Sequence, residues 1–269
     1  MGYYHRNANL IGAGVINSGQ GVYDLPYEIL IQSENPITEG LVFHLDAGNP
    51  LSYSGSGTTW TDMISGNNNA TIVDATYSSD DSGVIRYDGT NDWVVYPAAA
   101  HSLGEDFSVE VWAKWDESQY GSNNPWTGCL WSANANGDWG NSGHGILLGY
   151  GQMRFKKSDG GESSFSWNVP TTQVWHQFVF TKDSGQGKVY VDKSNENNSN
   201  DFKSSINSSS GAYGIGVADY LNGTYPYTGD TNVRGEWNGD ISIVRIYNKV
   251  LSSSEIEQNY NANKGRFGL

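Results

Sequence analysis

Apolar and polar residues alternate with a two-residue period through much of this chain, the spacing of a half-buried β-strand. In the clearest run, Phe107, Val109, Val111, Ala113 and Trp115 would line one face, and Ser108, Glu110, Trp112 and Lys114 the other. Gly40 to Asp46 alternates in the same way and ends in the turn Ala47-Gly48-Asn49-Pro50. Val84 to Tyr87 and Asp92 to Tyr96 flank Asp88-Gly89-Thr90-Asn91, which reads as a hairpin. Further strands are expected at 127–132, 145–150, 152–156, 163–167, 174–182, 187–192, 212–217 and 236–247. Short strands at regular spacing predict an all-β, antiparallel two-sheet sandwich of jelly-roll type.

One segment has a helical period. Ser252 and Glu255 make a capping box, Ile256 and Tyr260 stand at i and i+4, and Gly265 offers a stop. The stretches 118–143 and 194–210 read as polar loops, the first broken by a short strand near Cys129. Residues 1–37 read as an extended N-terminal arm and residues 38–269 as the sandwich. The arm carries Leu10, Ile11, Val15, Ile16, Val22, Tyr23 and Leu25, too few apolar groups for a core of their own. They need another surface: either the chain's own sandwich, as an extra strand, or a neighbouring subunit.

Composition sharpens this picture in three ways. Hydrophobic residues are only 37%, yet 10 Trp, 17 Tyr and 8 Phe supply an aromatic core. The net charge of −14 opposes a phosphate backbone or an anionic membrane, whose binding depends on Lys and Arg. Cys129 is the single cysteine, so no intrachain disulfide forms, which fits assembly in a reducing compartment. No apolar run suits a signal peptide or a membrane span.

Three stretches carry a family resemblance. Tyr87-Asp88-Gly89-Thr90-Asn91-Asp92-Trp93-Val94 is the first; Trp175-His176-Gln177-Phe178 with Gly187 to Asp192 is the second. The third runs from Gly239 to Asn248, with Leu251 to Ile256 behind it. In this order they resemble the laminin-G-like, pentraxin-like branch of the concanavalin A-like lectin/glucanase superfamily. The resemblance implies a sandwich in which Trp115 and Trp175 fill the space between sheets and the capped helix covers an open end. Gly40 to Asn69, the closing Asn261 to Leu269 and an arm of the type Asn9 to Leu25 resemble laminin-G-like structural proteins of tailed phages, notably cyanophages. That narrower likeness implies a virion-surface protein, assembled in the host cytoplasm, with capsid or tail subunits as partners and a homo-oligomer as one arrangement.

Candidate chemistry is sparse. Superfamily glucanases set carboxylates along one strand as E-x-D-x-x-E, because acid, base and nucleophile must share a face. Here Glu110 is followed on its face only by Trp112 and Lys114, so a non-enzyme is expected. The five histidines show no metal-binding spacing and no nucleophile elbow occurs. Calcium, favoured by hard oxygen ligands, could draw on Asp88, Asn91 and Asp92, or on Asp138 and Asn141. Asp88 and Asn91 would equally serve a turn. Two aromatic sets could stack on sugars, namely Tyr120, Trp126 and Trp139, and Tyr225, Tyr227 and Trp237; loop self-packing is the alternative. The reading is thus a phage virion decoration or fibre subunit presenting a lectin-like sandwich to host polysaccharide. A free calcium-dependent lectin is the second reading, and a glycoside hydrolase the third.

Overall fold

The computed structural model describes residues 35–65, 68–97, 103–104, 106–116, 128–134, 143–149, 152–156, 172–184, 186–199, 212–217 and 236–269. Among them fifteen strands form two antiparallel sheets. Sheet A comprises β1 (Leu41–Asp46), β4 (Thr76–Ser78), β5 (Val84–Asp88), β7 (Phe107–Trp115), β11 (His176–Asp183), β12 (Gln186–Val191), β13 (Ser194–Ser199) and β15 (Asn238–Tyr247). Their order is β13-β12-β11-β7-β15-β5-β4, with β1 also on β15. Sheet B comprises β2 (Thr59–Trp60), β3 (Ala70–Val73), β6 (Trp93–Pro97), β8 (Cys129–Asn134), β9 (Gly143–Gly149), β10 (Gln152–Lys156) and β14 (Ala212–Ile215). Its order is β10-β9-β8-β14-β6-β3-β2.

The alternation in β7 has the predicted consequence. Val111 stands opposite Phe178 of β11 and Val244 of β15, and all three face the core. Sheet B answers with Val94, Tyr96 and Trp131, whose indole N–H donates to the Tyr96 hydroxyl at 2.7 Å. Large rings are what two sheets about 10 Å apart need to meet without voids. Cys129 is buried, and its thiol donates to the Trp131 carbonyl at 3.2 Å.

Val84 to Tyr96 is not a hairpin. β5 belongs to sheet A and β6 to sheet B, so Asp88 to Asp92 is a corner between sheets. Ser194 to Ser199 is an edge strand on β12 rather than loop, held by backbone pairing that its polar side chains do not announce. The strand expected at 163–167 lies outside the described residues.

The helix α1 (Ser253–Asn263) has its capping box: the Glu255 N–H donates to the Ser252 hydroxyl, and the Ser252 N–H to the Glu255 carboxylate. It lies on the outer face of sheet A, not over an open end, because Trp112 there needs cover. Tyr260 and Phe267 stack on Trp112, with Phe267 also against Trp175. Trp175 therefore packs outside the sheet, whereas Trp115 fills the inter-sheet core. The chain passes Gly265 in a 3-10 turn and takes a left-handed conformation only at Gly268. Arg266 then anchors the tail, donating to Asp46 Oδ1 at 2.6 Å, the Ser242 hydroxyl at 2.6 Å and the Gly83 carbonyl at 2.8 Å.

Candidate binding rim

Antiparallel sandwiches place loops at two ends, and here the register says which loops share an end. Asn238 pairs with Asp88, and the Asp116 N–H donates to the Asn238 carbonyl at 3.0 Å. The Trp237 N–H donates to the Gly216 carbonyl at 2.9 Å, and the Gly216 N–H to that of Leu130 at 3.4 Å. The end of β5, the start of β6, the end of β7, the start of β8, the end of β14 and the start of β15 thus form one rim. The connection carrying Tyr120 and Trp126 is anchored here at Asp116 and Gly128. The connection carrying Tyr225 and Tyr227 is anchored here at Val217 and Glu236. Asp138, Trp139 and Asn141 belong to the connection between Asn134 and Gly143, rooted at the opposite end. These seven residues themselves lie outside the described residues, as do Leu10, Ile11, Val15, Ile16, Val22, Tyr23 and Leu25 of the arm.

Trp237 offers no face to a sugar. It is fully buried in the core, and its indole N–H has no hydrogen-bond partner among the described residues. Sequence reasoning grouped it with Tyr225 and Tyr227 as a sugar-stacking aromatic; instead it is a core residue immediately before β15.

The rim's polar centre is the corner. The Asp88 N–H donates to Asp92 Oδ2 at 2.6 Å, the Thr90 N–H to Asp88 Oδ1 at 2.8 Å, and the Asn91 N–H to Glu236 Oε1 at 2.9 Å. Asn91 holds a left-handed φ of 60°, which asparagine tolerates better than most residues. Asp88, Asn91 and Asp92 therefore serve the turn, and Glu236 ties it to β15. Burial pushes the Asp92 carboxyl up to about 6, with the charges of Asp88 and Asp74 adding to the effect. Asp74 and Glu236 were not singled out from sequence; strand pairing brings them here beside Asp116. Among the described residues no group of three or more His, Cys, Asp or Glu is arranged to hold a metal ion.

The nearest candidate for glucanase chemistry is far from solvent. Glu110 is fully buried beneath α1. Its Oε1 accepts from Trp112 Nε1 at 3.0 Å, Gln177 Nε2 at 2.9 Å and Arg245 at 3.3 Å; its Oε2 accepts from Asn259 Nδ2 at 2.8 Å. A carboxylate so engaged has no path to a glycosidic oxygen.

The chain enters the described structure on this helix side. The Asn35 carbonyl accepts from Gln258, the Ile37 N–H donates to Asn259 at 2.7 Å, and the Tyr247 hydroxyl donates to the Ile37 carbonyl at 3.2 Å. Tyr247 pairs with Ser108 at the far end of β7 from the rim. No helix among the described residues is long and apolar enough to cross a membrane.

Residues 88–257 match a family model described as the Concanavalin A-like lectin/glucanases superfamily. No curated protein matches the chain. Among solved structures, domain 4 of an extracellular arabinanase from Geobacillus stearothermophilus, in complex with arabinotriose, is similar at 18% identity and a TM-score of 0.58, covering 82% of this chain and 98% of that one. The Trypanosoma rangeli sialidase is similar at 20% identity and a TM-score of 0.56, over 83% of this chain but 33% of its own. The binding domain of Paraclostridial Mosquitocidal Protein 1 is similar at 15% identity and a TM-score of 0.60, over 83% and 52%. At such identities the likeness is one of fold.

Proposed function

Since this chain belongs to the concanavalin A-like lectin/glucanases superfamily, we infer that it is a non-catalytic glycan-binding module, attached to a tailed-phage virion by its N-terminal arm. The observation that carries this reading is the polarity of the sandwich. Two aromatic-bearing connections are anchored at the rim, while the arm joins the sandwich beside α1, toward the other end. A module built this way can be held by one side while the other meets a ligand.

Glycan binding is supported further by the arabinanase domain, which spans a similar length and was solved with arabinotriose. Tyr120, Trp126, Tyr225 and Tyr227 would supply the ring faces that sugar CH groups stack on; Trp139 would form a separate patch at the opposite end. The virion setting draws on the phage-like stretches Gly40 to Asn69 and Asn261 to Leu269, and on an arm whose Leu10, Ile11, Val15, Ile16, Val22, Tyr23 and Leu25 require a partner surface. Calcium would have to compete with the backbone N–H groups that already donate to Asp88 and Asp92.

Binding to an immobilised glycan panel, lost in Trp126→Ala or Tyr225→Ala protein that still folds, is the expected result. A blank panel removes the lectin role. Release of reducing ends from any bound polysaccharide would make the protein a hydrolase instead.

A further inference from the structure

We propose that the outer face of sheet A carries a peptide-binding slot for an arginine followed by an aromatic residue. The chain's own Arg266 and Phe267 fill it, and the same tail of a second copy can take their place.

The slot has two halves, both built by parts of the fold other than the tail. The first is a cup of oxygens around the guanidinium. Arg266 Nε donates to the Asp81 carbonyl at 3.3 Å and Nη1 to Asp46 Oδ1 at 2.6 Å. Nη2 donates to the Ser82 carbonyl at 3.3 Å, the Gly83 carbonyl at 2.8 Å and the Ser242 hydroxyl at 2.6 Å. The three successive carbonyls converge because Asp81 and Ser82 hold left-handed φ of 48° and 65°, and Gly83 one of 109°. Side chains rarely accept that backbone, and such strain persists where the surroundings impose it, often at ligand clamps. Here Lys114 and Trp175 impose it, donating to Asp81 Oδ2 at 2.9 Å and 2.8 Å. Gly48 leaves the cup its room: a Cβ there would lie 2.0 Å from the Ser82 carbonyl oxygen and 2.3 Å from Arg266 Nη2. The Gly48 N–H also steadies Asp46 Oδ1 at 2.9 Å.

The second half takes the ring. Phe267 lies with its centroid 4.7 Å from that of Trp112 and 4.5 Å from that of Trp175. Trp175 thus belongs to both halves, through its ring and through its N–H to Asp81. Arg266 rests over the Phe267 ring at 5.1 Å, so the two residues enter as a unit. Lysine would fit poorly, because an ammonium is a point charge, whereas the guanidinium is a planar fork.

The tether of the tail is slight by comparison. Only Lys264 and Gly265 separate α1 from Arg266, and a Cβ on Gly265 would meet nothing within 4 Å among the described residues. Gly268 and Leu269 are exposed. Fully extended, residues 264–269 span about 20 Å, enough to reach a neighbour packed against the helix side. Exchange of identical segments keeps every contact and adds only the cost of association, so crowding of copies favours it.

The test uses the full-length chain and an amidated peptide of residues 264–269. Arg266→Ala/Phe267→Ala protein, whose slot is vacant, should bind the peptide. The intact chain should bind it at least about tenfold more weakly, since its own tail competes at high effective concentration. Peptides with lysine for the arginine, or alanine for the phenylalanine, should lose at least about tenfold. Mixed with Asp46→Ala chains, whose sound tail has lost its cup, the double variant should form a one-to-one dimer in native mass spectrometry. Neither chain should form it alone, and excess peptide should disperse it. A double variant that keeps its near-ultraviolet tryptophan signal but ignores the peptide would overturn the slot. Peptide binding without the mixed dimer would overturn the second copy as its occupant. Should the double variant not fold, the intact chain decides: excess peptide must speed trimming of its tail by carboxypeptidase, and an unchanged rate overturns the proposal.

Discussion

Glu110 shows how a residue that looks catalytic in sequence can be structural. It shares β7's outer face with Trp112, and its four hydrogen bonds come from two other strands, the helix and its own strand: Gln177 on β11, Arg245 on β15, Asn259 on α1, and Trp112 beside it. Removing one partner of a buried ion pair leaves the other charged and desolvated, at a cost of about 3–5 kcal/mol. Glu110→Ala should therefore lower stability by about that much in denaturant melts, while Glu110→Gln, whose single carbonyl oxygen can still accept from Trp112 and Gln177 at the Oε1 position, should lose less. Equal losses would mean that charge, not shape, matters there. His44 gives a second test. Burial first, and the nearby Arg245 charge second, pull its imidazole down to about 3, and Arg245 Nε donates to its Nε2 at 3.2 Å. The unfolded imidazole titrates near 6.5. Between those values the unfolded chain binds the extra proton, so stability should fall with pH from about 6.5 downward, by up to about 1.4 kcal/mol per pH unit. Asp92 works the other way. Its folded value of about 6 lies above the ordinary value near 3.9, so the fold binds the proton first and gains stability as pH falls from about 6 to about 4. Melts across that range should show a weaker acid loss in His44→Gln and a steeper one in Asp92→Asn.

At the scale of elements, alternation found the strands because one face of each is pressed into an aromatic core. It also sorted β7's faces as they fold, with Phe107 to Trp115 inward in odd positions. It could not tell a hairpin from a corner: Asp88-Gly89-Thr90-Asn91 joins strands of different sheets, and only long-range pairing of Asn238 with Asp88 and Val73 with Trp93 settles that. β13 escaped notice because an edge strand is held by backbone bonds, which leave no hydrophobic period. The helix was legible from its cap, but its resting place was not, since Trp175, which it covers together with Trp112, was expected between the sheets. The two ends of this helical segment are held differently. Ser252→Ala removes one cap and should cost about 1 kcal/mol. Arg266→Ala takes away the cation on which Asp46, the Ser242 hydroxyl and the Gly83 carbonyl converge. It should cost more than the cap does, and expose the tail to carboxypeptidase. A smaller loss than Ser252→Ala would show that Phe267 stacking, not the guanidinium, holds the tail.

For the molecule as a whole, the arm's boundary decides whether attachment and folding can be separated. The sequence placed it after residue 37, at the Asn35-Pro36 signal, but the structure already uses that stretch. Ile37 packs with Leu41, Tyr247, Leu251 and Ile256, and its N–H and carbonyl are bound by Asn259 and Tyr247. Asn259 in turn donates to Glu110, so the arm's root and the buried ion pair belong to one network. A chain lacking residues 1–34 should then melt like the intact protein and bind glycans at its rim, yet fail to join virions. A chain lacking residues 1–37 should melt lower, because Asn259 and the Tyr247 hydroxyl lose their partners in the interior, where an unpaired polar group costs about 1–3 kcal/mol. Retained virion incorporation without residues 1–34 would move the attachment surface onto the sandwich itself, where Leu51, Met63 and Ile64 stand exposed on the adjoining turns that Ser52 and Thr61 hold together.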